Sequence, residues 1–394
     1  MVVNYSINKT SSFAFKKRVS RYLLFFACIF SNFSQLPTLM DNRIISLVYT
    51  ALWLIAAVSL FYFNPKIPVG YFILPAMFDL LCVFFDVFLK TSYLSSNLFR
   101  PINLCVFIMI VGVLASKYFD YEDLKFISLA YIISSLVLAL YIYFNIFAGI
   151  DWAGTDRYLY SSKNSAGQIF LIAIFLVVFL FLKKHKFISI LLIVFFAMLI
   201  FMMKSRSTIV SLFIAIVFFV ILVPKKTWQK LFGIFVIAFA VFLVFKQEDL
   251  YNLFIKEIML NNKDISDITA ISSERDLHLE YFRENFSDYW LMGTGGTYLE
   301  SFPLAVLMSY GVFLGIPVLL FSILPLLVGI NYVNKKQVRF LCLIVIILSL
   351  IMLTNGIFEE QSPFGPGVKC YFLWLVAGLL IGTRKSQRNN VGKE

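Results

Sequence analysis

Charge is what this chain has least of. Only 14% of its 394 residues are charged, against about 25% in an ordinary soluble domain. The deficit runs along the whole length, which excludes a soluble globular fold. Cysteine is sparse as well. Cys28, Cys82, Cys105 and Cys342 fall inside apolar runs, Cys370 lies at the edge of one, and no CxxC pair occurs. That excludes a disulfide framework and a zinc site and leaves small apolar packing residues. Neither GxxxxGK[ST] nor GxGxxG between a strand and a helix is present, so no nucleotide site or hydrolysed nucleotide is expected. Gly293-Thr-Gly-Gly296 is glycine-rich but follows no strand pattern. No repeat and no Pro/Gly linker divides the chain, so residues 1–394 are read as one membrane domain.

What is abundant is apolar: 60% of residues are hydrophobic and 45 are Phe. A membrane span needs about 20 mostly apolar residues. Twelve runs qualify as candidates, at 21–36, 43–63, 70–89, 101–119, 124–149, 165–183, 187–203, 206–223, 229–246, 303–330, 336–356 and 367–383. The first ends in polar residues (Ser31, Asn32, Ser34, Gln35) and follows Lys16, Lys17, Arg18 and Arg21, like a signal peptide. No small-x-small cleavage site follows, so it is expected to stay as an anchor. The expected fold is therefore an all-α polytopic membrane protein of about twelve transmembrane helices.

The net charge of +12 does not point to nucleic acid, because the bases sit in short clusters between apolar runs. Alternate segments hold most of them, including 183–186, Lys225-Lys226, Lys335-Lys336 and Arg384-Lys385. The positive-inside rule then puts both termini in the cytoplasm. The one long polar interval, 246–302 between the ninth and tenth runs, falls outside. Within it Leu253–Leu260 carries two charges and reads as an interfacial segment or a plain loop helix.

The external residues carry the candidate chemistry. Arg157 precedes Ser161, Ser162, Lys163 and Asn164, and Ser and Asn are helix N-cap types. Free N–H groups at a helix start beside a guanidinium make a phosphate site. Lys204-Ser-Arg-Ser-Thr208 repeats the arrangement with Arg206, and Arg275 and Arg283 add a third set. Surface bases also pair with lipid phosphates; three sets on one face favour a shared anionic ligand. Candidate bases for proton transfer are His278, three residues after Arg275, and Glu300, at the junction of the glycine-rich stretch and a helix. Asp79 and Asp86, seven apart on one predicted helix, share a face in the apolar region. They are expected to pair with Arg206 or Arg100, or to serve proton-coupled transport. Asp264-x-x-Asp267 reads as solvated, so neither a metal nor a cofactor is expected.

In order along the chain these stretches resemble the O-antigen polymerase and ligase superfamily of bacterial envelope glycosyltransferases. The matching stretches are Arg157…Ser162-Lys-Asn-Ser-Ala-Gly167, Lys204-Ser-Arg-Ser-Thr208, Arg275 with Gly293-Thr-Gly-Gly296, and Tyr310-Gly-Val-Phe-Leu-Gly315, spanning roughly residues 150–320. The resemblance implies a GT-C-like fold in the inner membrane, with the 246–302 loop in the periplasm. It also implies transfer of a glycan from an undecaprenyl-diphosphate-linked donor to a like acceptor, with membrane lipids and a chain-length regulator protein as partners. Arg157, Lys163, Asn164, Arg206, Arg275 and Arg283 would then bind the diphosphate-linked substrate, and Glu300 or His278 would take the acceptor's proton. Two departures stand out. Ligases of the superfamily carry His-Asn where this chain has Glu300-Ser301, which favours a polymerase. The intervals from Arg157 to Gly167 and from Arg283 to Gly293 are one residue short of the ten-residue spacing of some polymerases. A ligase and a flippase or secondary transporter are the alternatives.

Overall fold

The computed structural model describes residues 2–39, 42–63, 67–149, 163–260, 275–365 and 370–391, with side chains from 13 to 383 within those ranges. Fourteen helices and no strand occur among the described residues. They are α1 (Val2–Phe33), α2 (Arg43–Phe63), α3 (Ile73–Leu89), α4 (Phe99–Ala115), α5 (Tyr121–Ile142), α6 (Lys163–Leu180), α7 (Lys186–Met202), α8 (Arg206–Leu222), α9 (Thr227–Lys246), α10 (Glu248–Tyr251), α11 (Arg275–Tyr289), α12 (Phe302–Tyr332), α13 (Arg339–Gly356) and α14 (Tyr371–Val391). Twelve coincide with the twelve apolar runs; α10 and α11 lie in the polar interval. Six are long and apolar enough to cross a membrane: α2, α5 with its π-helical continuation to Phe147, α6, α9, α12 and α13. Helices α4, α7, α8 and the first part of α14 are apolar but shorter. Helices of this kind mark the chain as an all-α membrane protein.

The outer faces fit that reading. Helix α9 has no buried residue, and Phe232, Phe235, Phe242 and Phe245 are more than half exposed. A water-soluble surface does not carry apolar area on this scale. Without water to drive apolar faces together, membrane helices associate through close backbone approach and interhelical hydrogen bonds. Both devices are present. A Cβ on Gly378 would lie 2.1 Å from the Met109 carbonyl oxygen, and one on Gly112 would lie 2.2 Å from that of Leu375. Helices α4 and α14 therefore touch along their backbones. At the end of α1, Asn32 donates to Ser134 Oγ (2.8 Å) and the Tyr131 carbonyl (3.3 Å) of α5, and Trp53 of α2 donates to Ser31 Oγ (2.9 Å).

The bundle has two polar ends. At one, a capping box of Asp120 and Asp123 starts α5, and Lys17 of α1 bridges both carboxylates at 2.6 and 2.9 Å. Desolvation, the largest single influence, would raise the Asp120 carboxyl, but the Lys17 hydrogen bond, the Asp123 hydrogen bonds and the Lys17 charge together hold it down at about 2. The starts of α6, α8 and α12 and the end of α13 meet at the opposite end.

The last part of the long polar interval, around 290–295, is fixed there by a break in α12. Gly311 has φ 63 and ψ −172 inside the helix, a conformation open essentially to glycine alone. The break releases backbone groups, which pair with the preceding glycine-rich segment. Thr294 N–H donates to Met308 O (2.8 Å) and Gly295 N–H to Ser309 O (2.9 Å). Val312 and Phe313 N–H donate to Trp290 O (2.7 Å) and Leu291 O (3.2 Å). The apolar stretch at 253–260 is largely a π-helix (Asn252–Met259), with Phe254 against Phe201 of α7.

Candidate functional site

Docking of the glycine-rich segment sets the position of Tyr298 and Glu300, just before α12. Helix α11 brings Arg275 and His278 to the same place. Arg275 Nη2 lies 2.9 Å from Glu300 Oε2 and donates to the Phe358 carbonyl at 3.3 Å. The backbone N–H of Glu300 donates to His278 Nδ1 at 3.1 Å. That bond occupies the Nδ1 lone pair, so the neutral ring carries its proton on Nε2. His278 thus orients Glu300. Tyr298 donates its hydroxyl to Glu300 Oε1 (3.3 Å) and stands edge-on to the His278 ring.

Phe358 belongs to the α13–α14 connection, which supplies the second half of the site. Its shape comes from aromatic packing. Phe364 stacks on Trp374 of α14, centroids 4.9 Å apart, and on Phe321 of α12 at 5.9 Å. Trp374 Nε1 donates to the Pro363 carbonyl (2.9 Å), and Gln361 donates to Asn97 O (3.3 Å). Glu359 and Glu360 are presented between these anchors.

Glu359 leads to the starts of α6 and α8. Asn164 Nδ2 donates to Glu359 Oε1, while Ser205 Oγ donates to Asn164 Oδ1 at 2.8 Å. Ser205 Oγ also lies 2.8 Å from Thr208 Oγ1. A hydroxyl has one proton, so Thr208 is the donor there. The chain Thr208–Ser205–Asn164–Glu359 thus ties two helix starts to the connection that holds Arg275. Gly167, one turn along α6, leaves room for it: a Cβ there would meet Thr208 Oγ1 at 2.9 Å. Lys204 enters α8 in the left-handed region (φ 46) with its side chain 2% exposed. Such strain in a non-glycine residue is concentrated at functional sites.

Three carboxylates therefore gather around Tyr298. Its hydroxyl is pushed up to about 12, by partial burial first and then by the charges of Glu300, Glu360 and Glu359. Glu360 is buried, and burial pushes its carboxyl up to about 7 against a hydrogen bond from Gln361. Among the described residues no cluster of three or more ligating side chains has metal-site geometry.

Of the residues named from the sequence, Asn164, Arg275, His278 and Glu300 are brought together here. Lys163 and Arg206 stand as the first residues of α6 and α8. Asn164 follows Lys163 inside α6, so it bridges helices and does not cap one. Arg283, two turns along α11 from Arg275, is exposed and without a hydrogen bond or ion pair among the described residues. Arg157, Asp264 and Asp267 lie outside the described residues. The expected pairing of Asp79 or Asp86 with Arg206 or Arg100 is not found; among the described residues neither acid forms an ion pair. Asp86, near the C-terminus of α3, accepts instead from the Thr91 hydroxyl and from the N–H groups of Tyr93 and Leu94 at 2.9 Å. The turn after the helix offers free donors closer than any guanidinium. Asp79 lies beside the Asn103 amide of α4.

Sequence reasoning missed Tyr298, Glu359 and Glu360. The signal was available: Glu359-Glu360 is a pair of adjacent acids in a short connection between two apolar runs. No family model and no curated protein matches this chain, so the assignment rests on the site's own residues.

Proposed function

We propose that the protein is a glycosyltransferase of the bacterial inner membrane that polymerises polyprenyl-diphosphate-linked oligosaccharide repeat units. The observation that carries this reading is the Arg275–Glu300 pair, locked against Phe358-Glu359 where the N-termini of α6 and α8 converge. Guanidinium and ammonium groups beside carboxylates suit a reaction with a diphosphate leaving group and a hydroxyl nucleophile. Arg275, Arg206, Lys163 and Arg157 bind the diphosphate and stabilise the charge it gains as the glycosidic bond breaks. Glu300 takes the acceptor hydroxyl's proton, oriented by His278 and Tyr298. Glu360, its carboxyl pushed up to about 7, is partly protonated near neutral pH and so lowers the charge of the carboxylate cluster.

The membrane setting supports the same substrate. An apolar groove of about 450 Å³, lined by Phe302, Pro303, Leu353 and Pro363 among others, opens two residues from Glu300. A lipid-linked donor needs such a neighbour for its tail. In this reading all twelve long helices span the bilayer, the site faces the periplasm, and the basic end with both termini faces the cytoplasm. The Glu300-Ser301 dyad favours a polymerase over a ligase. Asp86 is committed to its turn, which weakens the carrier reading.

The test is the glycan phenotype of a deletion strain. Single-repeat glycan on the lipid acceptor, restored to long chains by the wild-type gene and not by Glu300→Gln, supports polymerisation. Complete loss of surface glycan points to a ligase or a carrier instead.

A further inference from the structure

A polar cavity lies at the end of the bundle away from the candidate site. It has a volume of about 210 Å³, between α1, α5 and the α6–α7 turn. Arg21, Lys125, Lys184 and His185 form its polar wall, and Glu122 is its one acid. Lys125 is committed to Glu122 at 2.9 Å, so no acid of the cavity wall is left for Arg21 or Lys184. Arg21 is held flat over the Phe126 ring, Cζ 3.9 Å from the centroid. Its Nε has no hydrogen-bond partner, and its Nη1 lies 3.7 Å from Asp123, whose charge Lys17 already meets at 2.9 Å. A fixed guanidinium whose side chain is 36% exposed, beside an ammonium, is suited to the oxygens of a phosphate.

The cavity floor says which phosphate. Leu129 and Leu180 line it, and from Leu129 an exposed apolar stripe runs along α5. Leu129, Ile133, Val137 and Leu140 are 38–42% exposed and follow helical spacing on one face. Eleven residues of helix cover about 17 Å, close to half of the ~30 Å hydrocarbon thickness. We infer that this cavity binds the phosphate headgroup of an anionic membrane lipid, with an acyl chain laid along the α5 stripe. The bases there join α1 to α5 and α6, so the lipid clamps three helices at the basic end. The inference rests on the membrane reading of the chain and not on the proposed reaction.

Native mass spectrometry of the purified full-length protein, titrated with phosphatidylglycerol, phosphatidylcholine or inorganic phosphate, tests it. Retention of phosphatidylglycerol over phosphatidylcholine is expected, with no retention of phosphate at the same concentration. A base near a membrane surface contributes roughly a fivefold change in affinity, so Lys184→Gln should weaken phosphatidylglycerol binding by about that factor and Lys184→Glu by roughly its square. Lys184 is exposed in a turn, so both variants keep the fold. Arg21→Gln, which also loses the Phe126 stack, should weaken binding at least as much. Equal retention of the two lipids, or unchanged phosphatidylglycerol affinity in both Lys184 variants, overturns the site. Tight binding of inorganic phosphate that Lys184→Glu abolishes overturns the lipid assignment in favour of a phosphate-ion site.

Discussion

Gly311→Ala tests how the site is assembled. An alanine Cβ at this position would sit 2.3 Å from the Leu291 carbonyl oxygen, on a backbone that alanine does not adopt. The least costly response is for α12 to close its break. The helix then recovers its own hydrogen bonds, and the glycine-rich segment loses its partners. Four backbone bonds hold that segment, from Thr294, Gly295, Val312 and Phe313. At about 0.5–1.5 kcal/mol each, docking weakens by about 2–6 kcal/mol, while global stability changes less. A middle value of about 4 kcal/mol is roughly a thousandfold shift toward the undocked segment. Hydrogen exchange should show lost protection at 290–300 with α13 and α14 unchanged, and glycan chain growth should fall at normal protein level. Unchanged protection together with full chain growth would refute the claim that this break positions Glu300.

Glu360→Gln should change the pH dependence of stability. The folded carboxyl titrates near 7, above its ordinary 4.5, so the folded state binds the proton more tightly. Stability is then greatest below about 4.5, falls as pH rises toward 7 and is level above it. That displacement corresponds to a ceiling of about 3 kcal/mol, reduced to about 1–2 kcal/mol by the group's partial access to solvent. The variant should lose this slope, read as the wild-type-minus-variant difference in thermal midpoint across pH 4–8; parallel profiles would contradict it. Arg275→Lys should impair chain growth at least tenfold, because a guanidinium presents a planar fork to phosphate oxygens and an ammonium only a point charge. Near-normal chains from this variant would remove the guanidinium from the mechanism. A cysteine at Glu284, exposed on α11, should react with an impermeant thiol reagent in intact spheroplasts. The five native cysteines are buried and give little background. Labelling only after the membrane is opened would reverse the proposed orientation.

Much of the fold was legible because apolar run length is a strong signal. The run at 21–36, which reads like a signal peptide, lies in a helix bonded to two neighbours. Its Ser31 and Asn32 lowered its apparent hydropathy because they are the groups that bond α2 and α5. Of the candidates read from the long loop, Arg275, His278 and Glu300 do meet, while Arg283 stands apart. Their exact roles were not legible. That His278 accepts from the Glu300 backbone depends on the segment's path over the α12 break, which a motif such as Gly293-Thr-Gly-Gly296 does not describe. Glu359 and Glu360 went unread: adjacent acids in a short connection are visible, but nothing in the sequence near them shows that Phe364, Trp374 and Phe321 fold the connection onto α11. The Asp86 pairing failed for a local reason: a carboxylate near a helix end is satisfied by the next turn before it can reach another helix. Asp79, in the middle of α3, meets the Asn103 amide of α4 instead of a base.

The central claim is that the polar end of this bundle transfers glycan from a lipid diphosphate, and reaction with purified protein tests it most directly. The detergent-solubilised protein would be given a polyprenyl-diphosphate-linked repeat unit without nucleotide or added metal, and the products sized. Wild-type protein should lengthen the glycan, because the diphosphate bond already holds the required free energy. Glu300→Gln should slow lengthening by a larger factor than it weakens donor binding, since a base acts in the transition state. An unaltered repeat unit after incubation with folded wild-type protein, or equal lengthening by wild type, Glu300→Gln and Arg275→Lys, would contradict the account.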